Sequence, residues 1–378
     1  MIFTPKIPVK ALLTLLFVIF GFAFSGFAQE TENHPVTAEG RDPHAEGEKK
    51  LNVKEVIFGH IRDAHDWHLF SVGDFHASLP LPVILYSPTN GLSVFMSSKF
   101  HHGHEPYNGY KMVDEHDIAA DPTLVKGKIM SLDGSKFYDF SITKNVVSML
   151  ISLLLLWFLL TGSAKKYKNN GINKAPTGWQ NALEPVIGFV QDNVAKPYLG
   201  KQYLKYMPLL LTFFFFIWIN NLLGLLPGGA NLTGNIAVTL LLTLVFFVVM
   251  LANSTKYFWG HMLNPPGIPM GIKFILVPIE ILSNLLIKPA ALAIRLFANI
   301  FAGHTIILSL MCMIFIFGAM SKVAGFGVSL FSVAFSVFMF FLELLVAAIQ
   351  AFIFTNLAAV FIGQAIEEHH HEEHGAHH

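Results

Sequence analysis

The stretch that decides the fold runs from Phe274 to Gly318 and reads FILVPIEILSNLLIKPAALAIRLFANIFAGHTIILSLMCMIFIFG. A second apolar stretch, Phe326 to Ile366, is almost as long. At about 1.5 Å per residue each would form a helix of roughly 60 to 70 Å, twice the ~30 Å hydrocarbon core of a bilayer. Either each stretch folds back on itself, with Pro278 and Pro289 as candidate kinks, or both are long helices that cross the membrane at a steep tilt.

The composition places the whole chain among membrane proteins. Of 378 residues, 53% are hydrophobic and 13% are charged, and the mean hydropathy is +0.53. Lys plus Arg and Asp plus Glu both total 25, so the net charge is zero and nucleic-acid binding is excluded as a partner class. Cys312 is the single cysteine, which excludes an intrachain disulfide framework and a CxxC motif.

Three further charge-free stretches add to the two long ones, namely Val146 to Ala164, Pro208 to Leu226 and Gly234 to Ala252. The fold class is therefore an all-α polytopic membrane protein with about five membrane helices over residues 145–366. The segment from Thr161 to Met207 holds seven lysines and two acidic residues, a bias typical of a cytoplasmic loop. Within it, Trp179 to Val194 has the apolar spacing of an amphipathic helix at the membrane interface.

The amino-terminal part is different in character. Lys6 and Lys10, an apolar run from Ala11 to Phe24 and small residues up to Ala28 are typical of a secretory signal peptide over residues 1–28. Residues 29–144 are then expected outside, as a small His-rich exported domain. A strand from Leu81 to Tyr86, a turn and a second strand from Leu92 to Phe95 predict a hairpin, so this domain is expected to be β-rich.

Histidines crowd both ends of the chain. In the exported domain they invite a metal-site interpretation, but their spacing fits no strong template, so solvated or hydrogen-bonded surface histidines are favoured and no metal ligands are assigned. The tail, residues 367–378, is rich in His and Glu and is expected to be disordered and cytoplasmic. The histidines considered for a metal are His60, His65, His68, His76, His101, His102 and His104.

The ionisable residues of the two long stretches are the candidates for function. A charge at the centre of a bilayer costs about 2.5 kcal/mol or more, so such groups persist where they face water, a counter-charge or a partner. Lys322 is set apart because Ala319 to Gly325 is the expected outside turn. The remaining candidates are Glu280, Lys288, Arg295, His304 and Glu343.

Helical geometry sorts these candidates by face. Lys288, Arg295 and Asn299 lie along one stripe of a helix, whereas His304 is rotated by about half a turn from Arg295. In an antiparallel pair of helices, Gln350 can lie level with Arg295 while Glu343 lies level with His304. Straight helices do not satisfy both pairings, so tilt or curvature is required.

The chemistry of these side chains predicts a division of labour. Arg295 has a side-chain pKa above about 12, so it cannot relay a proton, but it can attract a carboxylate of another chain. His304 and Glu343 can exchange protons when their surroundings allow it. A fixed positive barrier beside a titratable pair is what a rectified proton path requires.

These residues carry a resemblance to a known family. KPAALAIRLFANIFAGH at residues 288–304 and QAFIF at 350–354 closely resemble subunit a of bacterial F-type ATP synthases. The likeness includes EPVIGFV at 184–190 and NNLLGLLP at 220–227, and it covers roughly residues 145–368. Many members have glutamate where this chain has His304 and histidine where it has Glu343, so the pair looks exchanged.

The resemblance implies a proton-translocating stator subunit in the bacterial inner membrane. It implies two offset half-channels that lead to a ring of c subunits, with Arg295 separating them and facing the ring carboxylate. It further implies b-type peripheral-stalk subunits and the remaining synthase subunits as partners. Asn299 and Gln350 match polar positions near the arginine, and Lys288 and Glu280 are assigned to the proton path with them. No cofactor is expected, and the chain has no GxxxxGK loop for nucleotide, so ATP chemistry belongs to the rest of the complex.

Two alternatives from other classes remain open. One is a secondary transporter of metal ions or protons whose exported histidines capture the ion, although no inverted repeat is visible. The other is a membrane-embedded hydrolase, although no HExxH pairing occurs in the spans. The coupling ion, H⁺ or Na⁺, depends mostly on ring residues that this chain does not contain.

Overall fold

The computed structural model describes residues 63–366 apart from residues 73–74, 104, 122–123, 126, 171–174 and 227. The expected signal peptide, the first part of the exported domain and the expected tail lie outside the described residues.

The described amino-terminal part forms three small antiparallel sheets. The predicted hairpin is confirmed, because Pro82 pairs with Met96 and Ser87 with Gly91 across a tight turn. One short helix, α1, begins after Asp114, whose side chain accepts the backbone N–H of Asp117 in a capping box. The strands are β1 (Asp66–Val72), β2 (Phe75–Pro80), β3 (Pro82–Ser87), β4 (Gly91–Met96), β5 (Tyr110–Met112), β6 (Ile129–Ser131) and β7 (Tyr138–Asp139), and α1 is Glu115–Ala120.

A compact apolar cluster joins two of these sheets, the one that contains β3 and the one formed by β5 and β6. Alternation along β3 places Val83 and Leu85 inside, while Phe100 from a 3₁₀ turn at Ser97–Gly103 closes one side. Burying side chains of this size contributes about 1.5–3 kcal/mol each in an aqueous domain. The other members of the cluster are Tyr110, Met112, Ile129 and Phe137.

Between Lys144 and Ile366 the described chain is mainly helical. Four helical stretches are long and apolar enough to cross a membrane, and a fifth is reached if the bent pair Ile236–Ala252 and Lys256–Leu263, at 101°, is one span. The helices are α2 (Lys144–Asn170), α3 (Trp179–Val190), α4 (Lys196–Leu199), α5 (Tyr203–Leu225), α6 (Ile236–Ala252), α7 (Lys256–Leu263), α8 (Met270–Leu282), α9 (Lys288–Met320) and α10 (Lys322–Ile366).

Two π-helical segments join neighbouring helices where a proline follows. Gln191–Ala195 precedes Pro197, and Ser283–Ile287 precedes Pro289. A proline ring collides with the carbonyl four residues earlier in an α-helix, and a wider π turn moves that carbonyl aside. Pro289 therefore lies in the first turn of α9, directly after the π segment, and α8 to α9 runs from Met270 to Met320 without a gap.

The two long stretches do not fold back on themselves. Their helices cover 51 and 45 residues, about 77 and 68 Å, and the fold-back interpretation is wrong. The expected turn from Ala319 to Gly325 shrinks to Ser321 alone, because Lys322 already begins α10. A Cβ on Gly325 would lie 2.7 Å from the Cα of Gly318, so two glycines allow the close approach at this turn.

The predicted interfacial helix is present but is not a separate element. Leu183 and Val190 are buried, and Val186 and Ile187 pack against the core, which confirms the apolar face. Through the π segment, α4 and a short 3₁₀ turn, Gly200–Gln202, this helix continues into α5, which begins at Tyr203 rather than Pro208. The core around α5 is aromatic, with Phe213, Phe246 and Phe354 in mutual edge contacts.

Contacts fix which ends of the helices lie together. The Trp67 indole donates to the carbonyl of Gly228, so the sheets, the start of α2 and the loop after α5 share one end of the helix assembly. The backbone N–H of Thr255 donates to the carbonyl of Ala365, so the start of α7 and the end of α10 share the other.

Candidate functional site

The centre of the site is an acid–base pair between α9 and α10. His304 Nδ1 lies 2.6 Å from Glu343 Oε1, which confirms the predicted pairing across antiparallel helices. The Glu343 side chain is 2% exposed and that of His304 is 20% exposed. The pair therefore lies in the interior of the helix assembly, where an uncompensated charge is costly.

A hydrogen bond between His304 and α5 restricts where this pair can hold its protons. His304 Nε2 lies 2.9 Å from the backbone carbonyl of Gly224 in the last turn of α5. A carbonyl only accepts, so Nε2 carries a hydrogen, and a neutral ring leaves Nδ1 as an acceptor. The bond to Glu343 then holds one proton, either on the carboxyl group or on the imidazole. Such a shared proton is what a relay needs.

Gly303 makes room for the carboxyl group. A Cβ at this position would lie 2.9 Å from Glu343 Cδ and Oε1, closer than real Cβ atoms approach. Because the glycine has no side chain, the Glu343 carboxyl group packs against Gly303 and reaches the neighbouring His304. The predicted pairing of His304 with Glu343 is thus satisfied, while the Gln350 side chain bonds Asn299.

A second polar contact between α9 and α10 lies between His304 and Arg295 along the helix axis. Asn299 Nδ2 donates to Gln350 Oε1 over 2.8 Å, and Gln350 Nε2 is buried with no hydrogen-bond partner among the described residues. In the register set by the His304–Glu343 contact, Gln350 lies opposite Phe297, about 3 Å along the axis from Arg295 and so close to the predicted level. Its side chain bonds Asn299, which lies about as far from Phe297 in the other direction.

Arg295 points away from the helix assembly. Its side chain is exposed, and within the described part of the chain it makes no hydrogen bond or ion pair. The neighbouring exposed positions Ala291, Ala298 and Ala302 are small, so the surface around the guanidinium is open to a bulky neighbour. An arginine in the middle of an apolar helix, without a partner of its own, requires water or another chain.

Along the helix axis, Lys288 and Glu280 precede Arg295, whereas His304 follows it. Lys288 Nζ donates to Asn284 Oδ1 at 2.5 Å and lies 5.6 Å from the centre of the Phe361 ring. Glu280 is half-buried in α8 and makes no ion pair with the residues that the structure describes. The two are therefore not brought to the His304–Glu343 pair.

Sequence reasoning missed a buried amide cluster beneath the pair. Asn221 Nδ2 donates to the carbonyl of Ala347, which lies between Glu343 and Gln350 on α10, and Thr233 Oγ1 donates to Asn221 Oδ1. Asn220 is also buried, and its Oδ1 lacks a partner among the described residues. Two adjacent asparagines in an otherwise apolar span were the available signal, since such groups are costly in a membrane without partners.

The described histidines of the amino-terminal sheets are hydrogen-bonded or exposed. His65 is buried, with Nε2 3.0 Å from Asp139 Oδ2 and Nδ1 3.2 Å from the carbonyl of Gly127. His101 is exposed and lies 3.6 Å from Glu105. In the described ranges, no three His, Cys, Asp or Glu side chains gather as a metal-binding group. The side chains of His60, His68, His76, His102 and His104 lie outside the described residues.

Taken together, the long apolar helices and the buried polar groups between them define a polytopic helical membrane protein. Residues 146–363 match the family described as the ATP synthase A chain. The chain belongs to the family of subunit a of F-type ATP synthases, the proton-translocating subunits of that membrane complex.

Individual relatives support this assignment. The ATP synthase subunit a of Chlorobium phaeobacteroides (strain BS1) is 44% identical over 246 residues, 64% of this chain and 70% of the relative. That of Pelodictyon phaeoclathratiforme is 45% identical over 245 residues, 63% and 69% of the two chains. That of Myxococcus xanthus is 38% identical over 247 residues, 64% and 78%.

The amino-terminal part matches a different family. Residues 56–141 fit a family described as a domain of unknown function, DUF8433. This range contains the seven described strands, β1 to β7, and it ends three residues before α2 begins at Lys144.

Proposed function

We propose that this chain is the stator that conducts protons through two offset half-channels to a ring of c subunits, with Arg295 as the barrier between them. The observation that carries the proposal is the contrast between an exposed, unpartnered Arg295 and a buried His304–Glu343 pair about 13 Å along the same helix. One group cannot lose its proton, and the other holds a proton that it can pass on.

The half-channel on the side of the amino-terminal sheets includes His304 and Glu343. The pair lies between Arg295 and the loop after α5, because Gly224 at the end of α5 binds His304. Glu343 Oε2 is buried without a hydrogen-bond partner among the described residues, so it can accept a bond from water or a proton. Asn299 and Gln350 continue the polar path toward Arg295.

Arg295 is the point of contact with the ring. A ring carboxylate that arrives charged is attracted to the guanidinium, and it leaves the arginine when a proton neutralises it. The exposed alanines beside Arg295 support close passage of a neighbouring helix. The lengths of α8–α9 and α10 support a steep tilt against the ring, since both exceed the membrane thickness about twofold.

The second half-channel lies beyond Arg295 toward the end of α10. Lys288 and Glu280 are assigned to it as polar groups on that side.

In this proposal the sheet domain, residues 29–144, is periplasmic, and the tail from residue 367 is cytoplasmic. Residues 1–28 act as the signal peptide, and the complex lies in a bacterial inner membrane. The lysines between α2 and α5 support this orientation. The b-type stalk and the remaining synthase subunits complete the assembly.

The decisive experiment replaces the barrier residue. In inverted membrane vesicles, Arg295→Ala is expected to abolish ATP-driven proton pumping while the complex still assembles, because the substitution removes the cation that separates the two half-channels in this proposal. Pumping is followed by quenching of a pH-sensitive dye, and assembly by native electrophoresis.

Lys322→Ala is the matched control. It removes one cation from the start of α10, where Lys322 is exposed at the turn, and it should pump like the wild type. Full pumping by Arg295→Ala, or an equal loss in Lys322→Ala, contradicts the role of Arg295.

A further inference from the structure

A short segment of the amino-terminal part, Asp63 to Trp67, ties the sheets to the membrane helices. The Asp63 carboxylate accepts the backbone N–H of Asn145 at the start of α2, where the helix dipole favours a negative charge. The carbonyl of Ala64 accepts the N–H of Lys144 over 3.0 Å. His65 fastens the same segment to β7 through Asp139. The segment is thus held on both sides.

From this anchored segment Trp67 reaches the loop after α5. Its indole Nε1 donates to the carbonyl of Gly228 over 2.6 Å. Loops normally lie on the surface, but four successive residues of this one, from Ala230 to Thr233, are almost completely buried. Their burial means that the loop has one packed arrangement rather than many.

The same loop is folded directly onto the end of α5. The N–H of Gly229 donates to Leu226, and the N–H of Leu226 donates to Leu223, so two turns connect Gly228 to the last turn of the helix. A Cβ on Gly229 would lie 2.2 Å from the carbonyl oxygen of Leu223, which leaves no space for a looser path. Gly224, which lies inside the first of these two turns, carries the carbonyl that accepts from His304.

We propose that Trp67 is a positioning residue for the proton path, and that the domain of residues 63–141 holds the loop after α5 in position. By holding the Gly228 carbonyl, the indole keeps the end of α5 where the Gly224 carbonyl receives His304 Nε2–H. This inference rests on the proposed function of His304 and Glu343. It assigns a role to the amino-terminal domain that is independent of any metal.

The proton affinity of the pair depends on the groups that face His304. In the described part of the chain these are the Glu343 carboxyl group from α10 and the uncharged Gly224 carbonyl from α5. If the carbonyl moves, the imidazolium loses an acceptor and is less readily formed. The pH of the compartment on the domain side then has to be more acidic for the same rate.

The test uses Trp67→Phe in the whole synthase, reconstituted in liposomes. The phenylalanine keeps the aromatic bulk and removes the N–H donor. We expect the pH at half-maximal ATP synthesis, varied on the domain side, to move by about half to one unit toward acid, the size of one hydrogen bond. Amide hydrogen exchange of residues 228–235 should rise about threefold to tenfold. In a His304→Gln background, Trp67→Phe should cause no further shift of the pH profile.

Trp157→Phe is the control, since Trp157 is half exposed on α2 and its indole makes no hydrogen bond within the described residues. Unchanged exchange in Trp67→Phe, or faster exchange with an unchanged pH profile, overturns the inference. An equal shift with or without His304 overturns it as well. If Arg295→Ala pumps normally, the proposed function fails instead, so the two failures are distinguishable.

Discussion

Among the described residues, His65 and His304 each form a pair with a carboxylate on the same plan but in different surroundings. His65 contacts Asp139 and the carbonyl of Gly127, and His304 contacts Glu343 and the carbonyl of Gly224. In each, one ring nitrogen faces a glycine carbonyl and the other a carboxylate. The two histidines therefore have the same types of hydrogen-bond partner, and these partners alone do not determine the function of each pair.

The difference lies in the second carboxylate oxygen. Asp139 Oδ1 accepts the backbone N–H of Ser141, and the Asp139 side chain is 32% exposed. Glu343 Oε2 is buried and has no partner among the described residues. A fully bonded carboxylate holds structure together, whereas a half-bonded one in a membrane retains the capacity to take up a proton. We therefore expect the first pair to stabilise its domain and the second to conduct.

The largest effect is expected from Glu343→Gln. The amide keeps the shape and a hydrogen bond to His304 but cannot exchange a proton, so proton pumping in inverted vesicles should fall about 100-fold, as for the loss of a general acid–base group. The matched change in the other pair, Asp139→Asn, should leave pumping by assembled complexes unchanged.

Exchanging the two members sharpens this prediction. The double variant His304→Glu with Glu343→His keeps one acid and one base at the same distance, and it should pump better than either single change. Equal rates for Glu343→Gln and the wild type would show that the buried pair is structural, like the pair of His65.

A smaller effect is expected from Gly303→Ala. The added Cβ would meet Glu343 Cδ at 2.9 Å, so the carboxyl group must shift away from His304. We expect pumping to fall about threefold to tenfold, the size of one lost hydrogen bond. Gly327→Ala is the control, because a Cβ there meets nothing within 4 Å. Equal pumping in the two variants would mean that the glycine does not set the geometry of the pair.

The membrane pair could be predicted from the sequence, and the domain pair could not. His304 and Glu343 stand out as titratable groups in long apolar runs, and the nearly equal rises from Arg295 to His304 and from Gln350 to Glu343 set them at one level when the two helices pack antiparallel. Asp139 is 74 positions from His65, and a polar segment offers no comparable contrast. The π-bulge before Pro289 was not predicted either. A proline in the sequence indicates a break in an α-helix, but it does not indicate how the carbonyl four residues earlier is accommodated.

For Arg295 and its neighbours, too, the sequence predicted the general role but not every contact. Its position in an apolar helix predicted a barrier, and its exposure is consistent with that interpretation. That the Gln350 side chain bonds Asn299 rather than facing Arg295 depends on side-chain direction, which sequence spacing does not contain. The close approach of Glu343 to Gly303 is a detail of the same kind, since periodicity does not show where a missing Cβ makes room for a carboxyl group.

The smallest effect concerns the domain pair and its dependence on pH. Burial lowers the pKa of His65, but the hydrogen bond and charge of Asp139 outweigh it, so the pKa is raised above its ordinary 6.5. Burial raises the pKa of Asp139, but the hydrogen bond to His65 outweighs it, so that pKa is lowered from 3.8. The histidine's contribution is complete below pH 6.5 and is lost as the pH rises through the raised value, whereas that of Asp139 is complete above 3.8.

The pair should therefore stabilise the domain most between these two ordinary values. At pH 6, His65→Gln should speed amide exchange of residues 127–131 and 138–141 by about threefold to tenfold relative to the wild type. The difference should shrink as the pH rises, because the wild-type histidine then loses its proton. His101→Gln serves as the control, since that ring is exposed and lies 3.6 Å from Glu105. A difference that is constant with pH would show that His65 acts through packing, and the contrast with the membrane pair would then lie in location alone.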